Sequence, residues 1–170
     1  MARVEPIDRQ IVDLLMEDGR MPCAEIARRI GCVSERTVRY RLERLQNLKI
    51  VHVVAIPNPS ALGYAVIADV FLEVEPALIL QVAQRMQEFD CVTYIGCALG
   101  ERDVSIQVVA RDNAEVYDFV TGVVAKVPGV RKTTTVILPK ILKDVYQWRI
   151  PARDCVQPRE PTPPQGPSPG

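Results

Sequence analysis

Arginine is concentrated in one short stretch of this chain, between residues 28 and 44. The guanidinium group suits phosphate because it carries a permanent charge and several hydrogen-bond donors in a planar fork. In residues 34–46 only Glu35 and Glu43 oppose the arginines. The arginines are Arg28, Arg29, Arg36, Arg39, Arg41 and Arg44. Because the whole chain has no formal net charge, this local excess indicates a surface that binds nucleic acid.

Three short helices are predicted to position these arginines. Apolar residues recur on one helical face in residues 7–15, and Pro22 suits the first turn of a second helix. Gly31 suits the left-handed end of that helix, and Ser34 is a good N-cap for a third helix over residues 34–46. Three helices in about forty residues with a tight glycine turn predict a helix-turn-helix, in which the third helix enters the major groove.

The third helix supplies the candidate DNA-binding residues. Those near its start are placed for base edges or the nearest phosphates: Glu35, Arg36, Thr37 and Arg39. The others are placed for the DNA backbone: Ser34, Tyr40, Arg41 and Arg44. One such unit makes few contacts, so we expect a dimer that binds two half-sites of double-stranded DNA. The alternatives are a solvated basic helix face and a helical unit that mediates only protein contacts.

The second half of the chain alternates strands and helices. Residues 66–74 keep a period of two, Pro76 opens a helix, and residues 91–110 form a hairpin that turns at residues 100–102. A helix then begins at Asp112, and residues 130–138 form the last strand. This β-α-β-β-α-β order predicts a ferredoxin-like sandwich, with two helices on one face of a four-stranded antiparallel sheet. The predicted fold class is therefore α+β.

Breaks in composition set the expected domain boundaries. Residues 50–56 are rich in β-branched side chains and predict a short strand, which residues 57–60 interrupt. From residue 151 onward seven of twenty residues are proline, which predicts disorder. A short proline-rich ligand is the alternative for this tail. The predicted segments are a DNA-binding domain (1–50), a hinge strand and linker (51–63), a ferredoxin-like domain (64–148) and a disordered tail (149–170).

Other chemistry is sparsely represented. The chain has five cysteines and one histidine, and no two cysteines are spaced C-x-x-C. We therefore expect reduced thiols in the cytoplasm, no metal site and no cofactor. The beginning of the chain lacks the apolar core of a signal peptide, and no apolar run is long enough to predict a membrane span.

Several motifs together resemble the leucine-responsive/asparagine-regulator (Lrp/AsnC) family of transcription factors. In the helical region the resemblance depends on Asp8-Arg9-x-Ile11, Asp18-Gly19-Arg20, Ile26-Ala27, Gly31 and Ser34-x-x-Thr37-Val38-x-x-Arg41-Leu42-x-x-Leu45. In the second half it depends on Gly100-x-x-Asp103. The resemblance covers about residues 5–148. The chain departs from the family pattern at Tyr40, Leu99 and Lys132.

The resemblance implies a function and an assembly. Members are DNA-binding regulators with a helix-turn-helix domain, which can be winged, and a ferredoxin-like (RAM-type) domain. They dimerise through the second domain, with tetramers or octamers as further assemblies, and many bind a small amino acid between subunits. Gly100, Asp103 and Thr134 match the effector-binding positions. The alternative for Asp103 is a turn residue that caps the hairpin.

The resemblance also brings an enzyme into consideration. Sirohaem decarboxylases resemble this family in both domains but use histidines on a tetrapyrrole substrate. Here the only histidine is His52, in the hinge, and no second general base is paired with it in the sequence. We therefore expect a regulator without enzymatic activity, and a Soret band in the purified protein would favour the enzyme instead.

Overall fold

The structure is a computed structural model that describes residues 4–156. The chain divides into two compact units. Among the described residues, the helical unit consists of residues 4–56 together with 143–156, and the sheet unit is Pro57–Leu142. The helical unit is therefore discontinuous in sequence.

The helical unit contains the three helices that the sequence predicts. They are α1 (Pro6–Glu17), α2 (Cys23–Ile30) and α3 (Glu35–Asn47). Their inward faces bury Ile11, Ile26 and Val38 completely in one small core. Gly31 ends α2 with a φ of 83°, a left-handed conformation that favours glycine. Ser34 is the N-cap of α3, as predicted, because its hydroxyl accepts a hydrogen bond from the Thr37 amide at 3.1 Å.

The sheet unit is the predicted ferredoxin-like sandwich. Its elements in chain order are β1 (Val66–Val74), α4 (Ile79–Met86), β2 (Val92–Cys97), β3 (Val104–Ala110), α5 (Asn113–Gly122) and β4 (Val130–Ile137). The sheet order is β2-β3-β1-β4, and all three pairings are antiparallel. Ala68, Val70 and Leu72 of β1 are fully buried and pack with residues of α4 and α5. The alternate residues of β1 lie on the opposite face, which we call the open face of the sheet.

The β2–β3 hairpin turns where the sequence predicts. Gly100 has a φ of 138°, so the turn requires glycine at this position. The Ala98 amide donates to the Asp103 carbonyl at 2.9 Å and closes the hairpin. The turn residues 100–102 thus connect β2 and β3, which are hydrogen-bonded to each other in the sheet.

The structure differs from the sequence prediction at two places. No strand forms within residues 50–56, and residues 4–56 contain no strand that could act as a wing. The prediction of a hinge strand was wrong because β-branched composition supplies no partner for the amides and carbonyls of a strand. Residues 149–156, expected in the disordered tail, have a defined backbone with a short 3₁₀ turn at Ala152–Asp154. Residues 157–170 of the predicted tail lie outside the described residues.

Candidate functional site

The start of α3 is fixed by its cap. The Ser34 hydroxyl lies 2.9 Å from the Thr37 hydroxyl as well as accepting from the Thr37 amide. Ser34 and Thr37, which were both predicted to contact DNA, therefore stabilise the N-terminus of α3. That end also carries the positive end of the helix dipole, which favours an anion such as phosphate.

A buried carboxylate connects α1 to α3. Asp8 is completely buried, and its Oδ1 accepts from Arg41 Nη1 at 3.0 Å. Its Oδ2 accepts from Arg44 Nη1 at 3.3 Å and from the Glu5 amide at 2.9 Å. Arg41 also donates to Glu5 Oε2 at 2.8 Å. We call these four residues the Asp8 cluster.

The Asp8 cluster determines how two of the predicted DNA-binding arginines are used. The Arg41 side chain is only 20% exposed, and its guanidinium is directed at α1. Burial lowers the pKa of Arg41, but hydrogen bonds to Asp8 and Glu5 outweigh burial, so the pKa is raised overall. Arg41 is thus a permanent cation held inside the helical unit, and Arg44 pairs with the same carboxylate.

The outward face of α3 carries the remaining predicted residues. Glu35, Arg36, Arg39 and Tyr40 are exposed, with Tyr40 at 67%. Arg39 Nη2 donates to Glu35 Oε1 at 2.6 Å, and this hydrogen bond raises the pKa of Arg39. Within residues 4–156, Arg36 has no hydrogen bond, ion pair or ring contact of its side chain. Arg36 is therefore a cation of α3 whose charge no carboxylate of the described chain offsets.

Two further arginines from the basic stretch are paired on α2. Arg28 Nη2 lies 2.6 Å from Glu25 Oε1, and Arg29 Nη1 lies 2.9 Å from Glu17 Oε2. Both pairs are exposed, so each stabilises the fold only slightly and leaves its arginine accessible. Glu25 and Glu17 therefore offset part of the positive charge that the arginine count alone assigns to α2.

In the sheet unit, Asp103 fastens the β2–β3 hairpin to β1. Its Oδ2 accepts from the Val74 amide at 2.7 Å, and its own amide donates to the Leu72 carbonyl at 2.9 Å. The Asp103 side chain therefore anchors the hairpin to β1, a structural role that differs from the hairpin cap considered from the sequence, and one carboxylate oxygen has no hydrogen bond within the described chain. Gly100 lies at the tip, where an added Cβ would meet nothing within 4 Å, so its backbone conformation alone requires glycine.

Thr134 lies on the open face, across the sheet from the hairpin strand. It is paired in register with Phe71 of β1. The Arg102 guanidinium, next to Asp103, lies 4.4 Å from the centre of the Phe71 ring. Phe71 thus lies between the turn and Thr134. Lys132, two residues before Thr134, is paired with Glu73 at 2.8 Å.

The open face mixes apolar and polar side chains. Besides Thr134 and Gly96, the strand registers place ten side chains on this face: Ile67, Asp69, Phe71, Glu73, Tyr94, Ser105, Gln107, Val109, Lys132 and Val136. Gln107 Nε2 donates to Asp69 Oδ1 at 3.1 Å. An added Cβ at Gly96 would meet the Tyr94 hydroxyl at 2.5 Å, so the Tyr94 ring lies over that glycine. Such a face can lie against a second protein surface.

Two kinds of site are not found in the described chain. Residues 4–156 contain no group of three or more histidine, cysteine, aspartate or glutamate side chains that could hold a metal ion. Over the same range, no helix has both the length and the apolar character that crossing a membrane requires.

The sequence patterns predicted α3 but not the carboxylates near and on α1 that bind its arginines. Ser34, Glu35, Arg36, Thr37, Arg39 and Tyr40 all lie at the start or on the outer face of α3, as the helical spacing indicated. Arg41 and Arg44 face α1 instead, and the roles of Glu5 and Asp8 were missed. No local spacing rule connects residue 8 to residue 41, although Asp8 and Arg41 both belong to the motif that carried the family resemblance.

The Asp8 cluster generates a prediction on stability. Asp8→Asn should destabilise the helical unit by roughly 3 kcal/mol, because two arginines then lose their buried counter-charge. Glu43→Gln is the matched control, since Glu43 is exposed on α3. Denaturant unfolding followed by circular dichroism measures both. Equal unfolding midpoints for the two variants would mean that the buried carboxylate does not hold α3.

Comparison with known protein families supports both units. The AsnC-type helix-turn-helix domain model matches residues 6–46, and the Lrp/AsnC ligand binding domain model matches residues 66–148. An uncharacterised HTH-type transcriptional regulator of Pyrococcus abyssi is 38% identical over 85% of this chain and 91% of that protein. The HTH-type transcriptional regulator LrpA of Pyrococcus horikoshii is 29% identical over 82% of this chain and 99% of that protein.

Solved structures agree at the level of the fold. Escherichia coli AsnC superposes with a TM-score of 0.77 at 23% identity, over 85% of this chain and 99% of that chain. A Neisseria meningitidis transcriptional regulator in complex with L-Met gives 0.77 at 21% identity, over 83% and 93%. The matched domains and the relatives show that this chain belongs to the Lrp/AsnC family of transcriptional regulators, with a helix-turn-helix DNA-binding domain and a ligand-binding domain.

Proposed function

We propose that the chain binds duplex DNA through the outward face of α3, with Arg36 as its principal cationic contact. The observation that carries this proposal is the unpaired guanidinium of Arg36 on an exposed helix face. Tyr40, four residues on, lies beside it on the same helical face. Arg39 can join the contact at small cost, because its exposed pair with Glu35 is weak in water. The α3 N-terminus adds favourable dipole charge.

Within the same proposal, Arg41 and Arg44 position α3 and do not contact phosphate. Their guanidinium groups are hydrogen-bonded to Asp8, and turning Arg41 toward DNA would leave that carboxylate buried with one cation fewer. Loss of Arg41 would thus reduce DNA binding through the orientation of the helix.

Arg36→Ala should weaken binding to random and selected duplexes alike if Arg36 contacts phosphate. The slope of log K against log salt should then become shallower by about 0.9, because one fewer counterion is released. Fluorescence anisotropy at several salt concentrations measures this slope. Lys126→Ala, which removes an exposed cation from the sheet unit, is the matched control and should leave the slope unchanged. A slope equal to that of the unaltered protein in Arg36→Ala would count against the contact.

We also propose that two copies of the chain associate through the open face of the sheet. One sheet face is covered by α4 and α5, whereas the side chains of the open face do not belong to the core beneath these helices. The open face presents four apolar side chains that are not buried, Ile67, Phe71, Tyr94 and Val136, among polar ones. A face of this mixed kind suits a self-complementary contact, and two copies would present two recognition helices to two half-sites. Tetramers or octamers could be built from such dimers.

Val136→Asp should convert dimer to monomer, because a carboxylate would be placed at the contact without a partner. Size-exclusion chromatography with light scattering gives the mass. Leu80→Asp on α4 is the control, because Leu80 is 70% exposed and lies on the other side of the sheet. Identical masses for both variants would direct the contact elsewhere.

We further propose that a small amino-acid-like effector binds at a subunit interface that includes Gly100, Asp103 and Thr134. Asp103 has one carboxylate oxygen on the Val74 amide, which leaves the other oxygen for an α-ammonium group. Thr134 provides a hydroxyl on the strand position paired with Phe71. The Arg102 guanidinium lies over the Phe71 ring, and its charge suits an α-carboxylate. The L-Met complex of the Neisseria regulator makes amino acids the first compounds to try. Because the relatives are named as transcriptional regulators, we also propose that this chain acts as a regulator without enzymatic activity.

Two substitutions separate the role of Asp103 in anchoring the hairpin to β1 from its proposed role in binding. Asp103→Asn keeps an oxygen for the Val74 amide but removes the charge, whereas Asp103→Ala removes both. In a thermal-shift screen against the twenty amino acids, a ligand at a hundredfold its dissociation constant should add about 2.7 kcal/mol to the unaltered protein. Both variants should lose this gain, and only Asp103→Ala should also lower the melting point without ligand. A full ligand response in Asp103→Asn would remove Asp103 from the site.

A further inference from the structure

The chain that follows the sheet unit returns to the helical unit. Residues 143–156 belong to that unit, and two of its polar contacts join this segment to α1 and to Val4, two residues before α1. Arg149 Nη1 lies 3.1 Å from Asp13 Oδ1, and the Val156 amide donates to the Val4 carbonyl at 2.8 Å. We call residues 149–156 the strap. It begins after the last residue that the ligand-binding domain model matches, residue 148.

Local sequence explains why this segment has a defined path. Just before the strap, Asp144 caps a 3₁₀ turn by accepting from the Tyr146 amide, while Gln147 Oε1 accepts from the Asp144 amide. Pro151 has a φ of −64° and precedes the turn at Ala152–Asp154. Because proline fixes this angle beforehand, ordering the turn costs less conformational entropy.

The contacts of the strap lie next to the Asp8 cluster. Val4, which accepts from Val156, directly precedes Glu5, whose carboxylate binds Arg41. Asp13, which pairs with Arg149, lies on α1 and also pairs with Arg9 at 3.5 Å. The strap therefore holds α1 at its start and at its middle, and α1 holds α3 through Asp8.

We infer that the strap is a positioning part of the DNA-binding unit and that Arg149 is a positioning residue for α3. The strap fixes the N-terminal end of α1, so the Asp8 cluster keeps one geometry and the outward face of α3 keeps one orientation. This inference rests on the DNA binding proposed above. It assigns a role in DNA binding to chain that lies beyond both matched domains.

The first test compares two charge reversals four residues apart. Arg149→Glu breaks the pair with Asp13, whereas Arg153→Glu makes the same charge change at a side chain that is 88% exposed and only approaches its neighbour Asp154. Arg149→Glu should bind a fluorescently labelled random-sequence duplex roughly threefold to tenfold more weakly than Arg153→Glu does. Equal affinities would overturn the inference, because general charge repulsion is the same in both.

The second test compares two truncations of the full chain. Ending the chain after Trp148 removes the strap, and ending it after Val156 retains the strap. Hydrogen exchange at Ile11 and Val38 should quicken by at least about tenfold in the shorter chain only, while exchange at Val70 stays unchanged. Equal exchange at Ile11 and Val38 in both truncations would overturn the inference. If the unaltered protein binds no duplex, the proposed DNA binding fails, and this exchange test still decides whether the strap holds α1.

Discussion

The burial of the Asp8 carboxylate constrains the rest of the helical unit. A fully buried charge is tolerated only with opposite charges and hydrogen bonds around it, so α3 must direct Arg41 and Arg44 toward α1. This requirement fixes the rotation of α3 about its own axis. Since successive helical residues are separated by about 100°, Arg36 lies roughly 140° around the helix from Arg41. The ion pair that faces inward thereby determines which side chains face outward.

The same constraint explains what the sequence could and could not predict about the binding surface. Helix bounds and caps follow from neighbouring residues, and Ser34 and Gly31 were found because their effects are local. The division of the arginines into inward and outward sets depends on Asp8, which lies 33 positions before Arg41. Charge counting treats all of these arginines alike. Only the fold shows that five of them are paired with carboxylates, two of these with the buried Asp8, and that Arg36 has no such pair among residues 4–156.

The sheet unit shows the corresponding limit for strands. Alternation gave β1 its bounds and its buried face, because each residue reports its own side of the sheet. Residues 50–56 have similar β-branched composition and form no strand, since a strand also needs a second strand to pair with. Asp103 was found because Gly100-x-x-Asp103 resembles the effector turn of the Lrp/AsnC family. Its bond to the Val74 amide joins two strands, so no pattern within the hairpin could have predicted it.

The strap extends this argument to the boundaries of functional units. Proline content is an average over residues 151–170, so it gives one prediction, disorder, for the whole segment. It cannot distinguish residues within the segment by what they contact. Arg149 and Val156 instead meet partners at the beginning of the chain, and Pro151 favours the turn between them. The composition near residue 150 cannot predict contacts with Val4 or Asp13, which lie more than 130 positions earlier in the chain. A boundary drawn after residue 148 follows the end of the matched ligand-binding domain, yet it separates the helical unit from contacts at and just before its first helix.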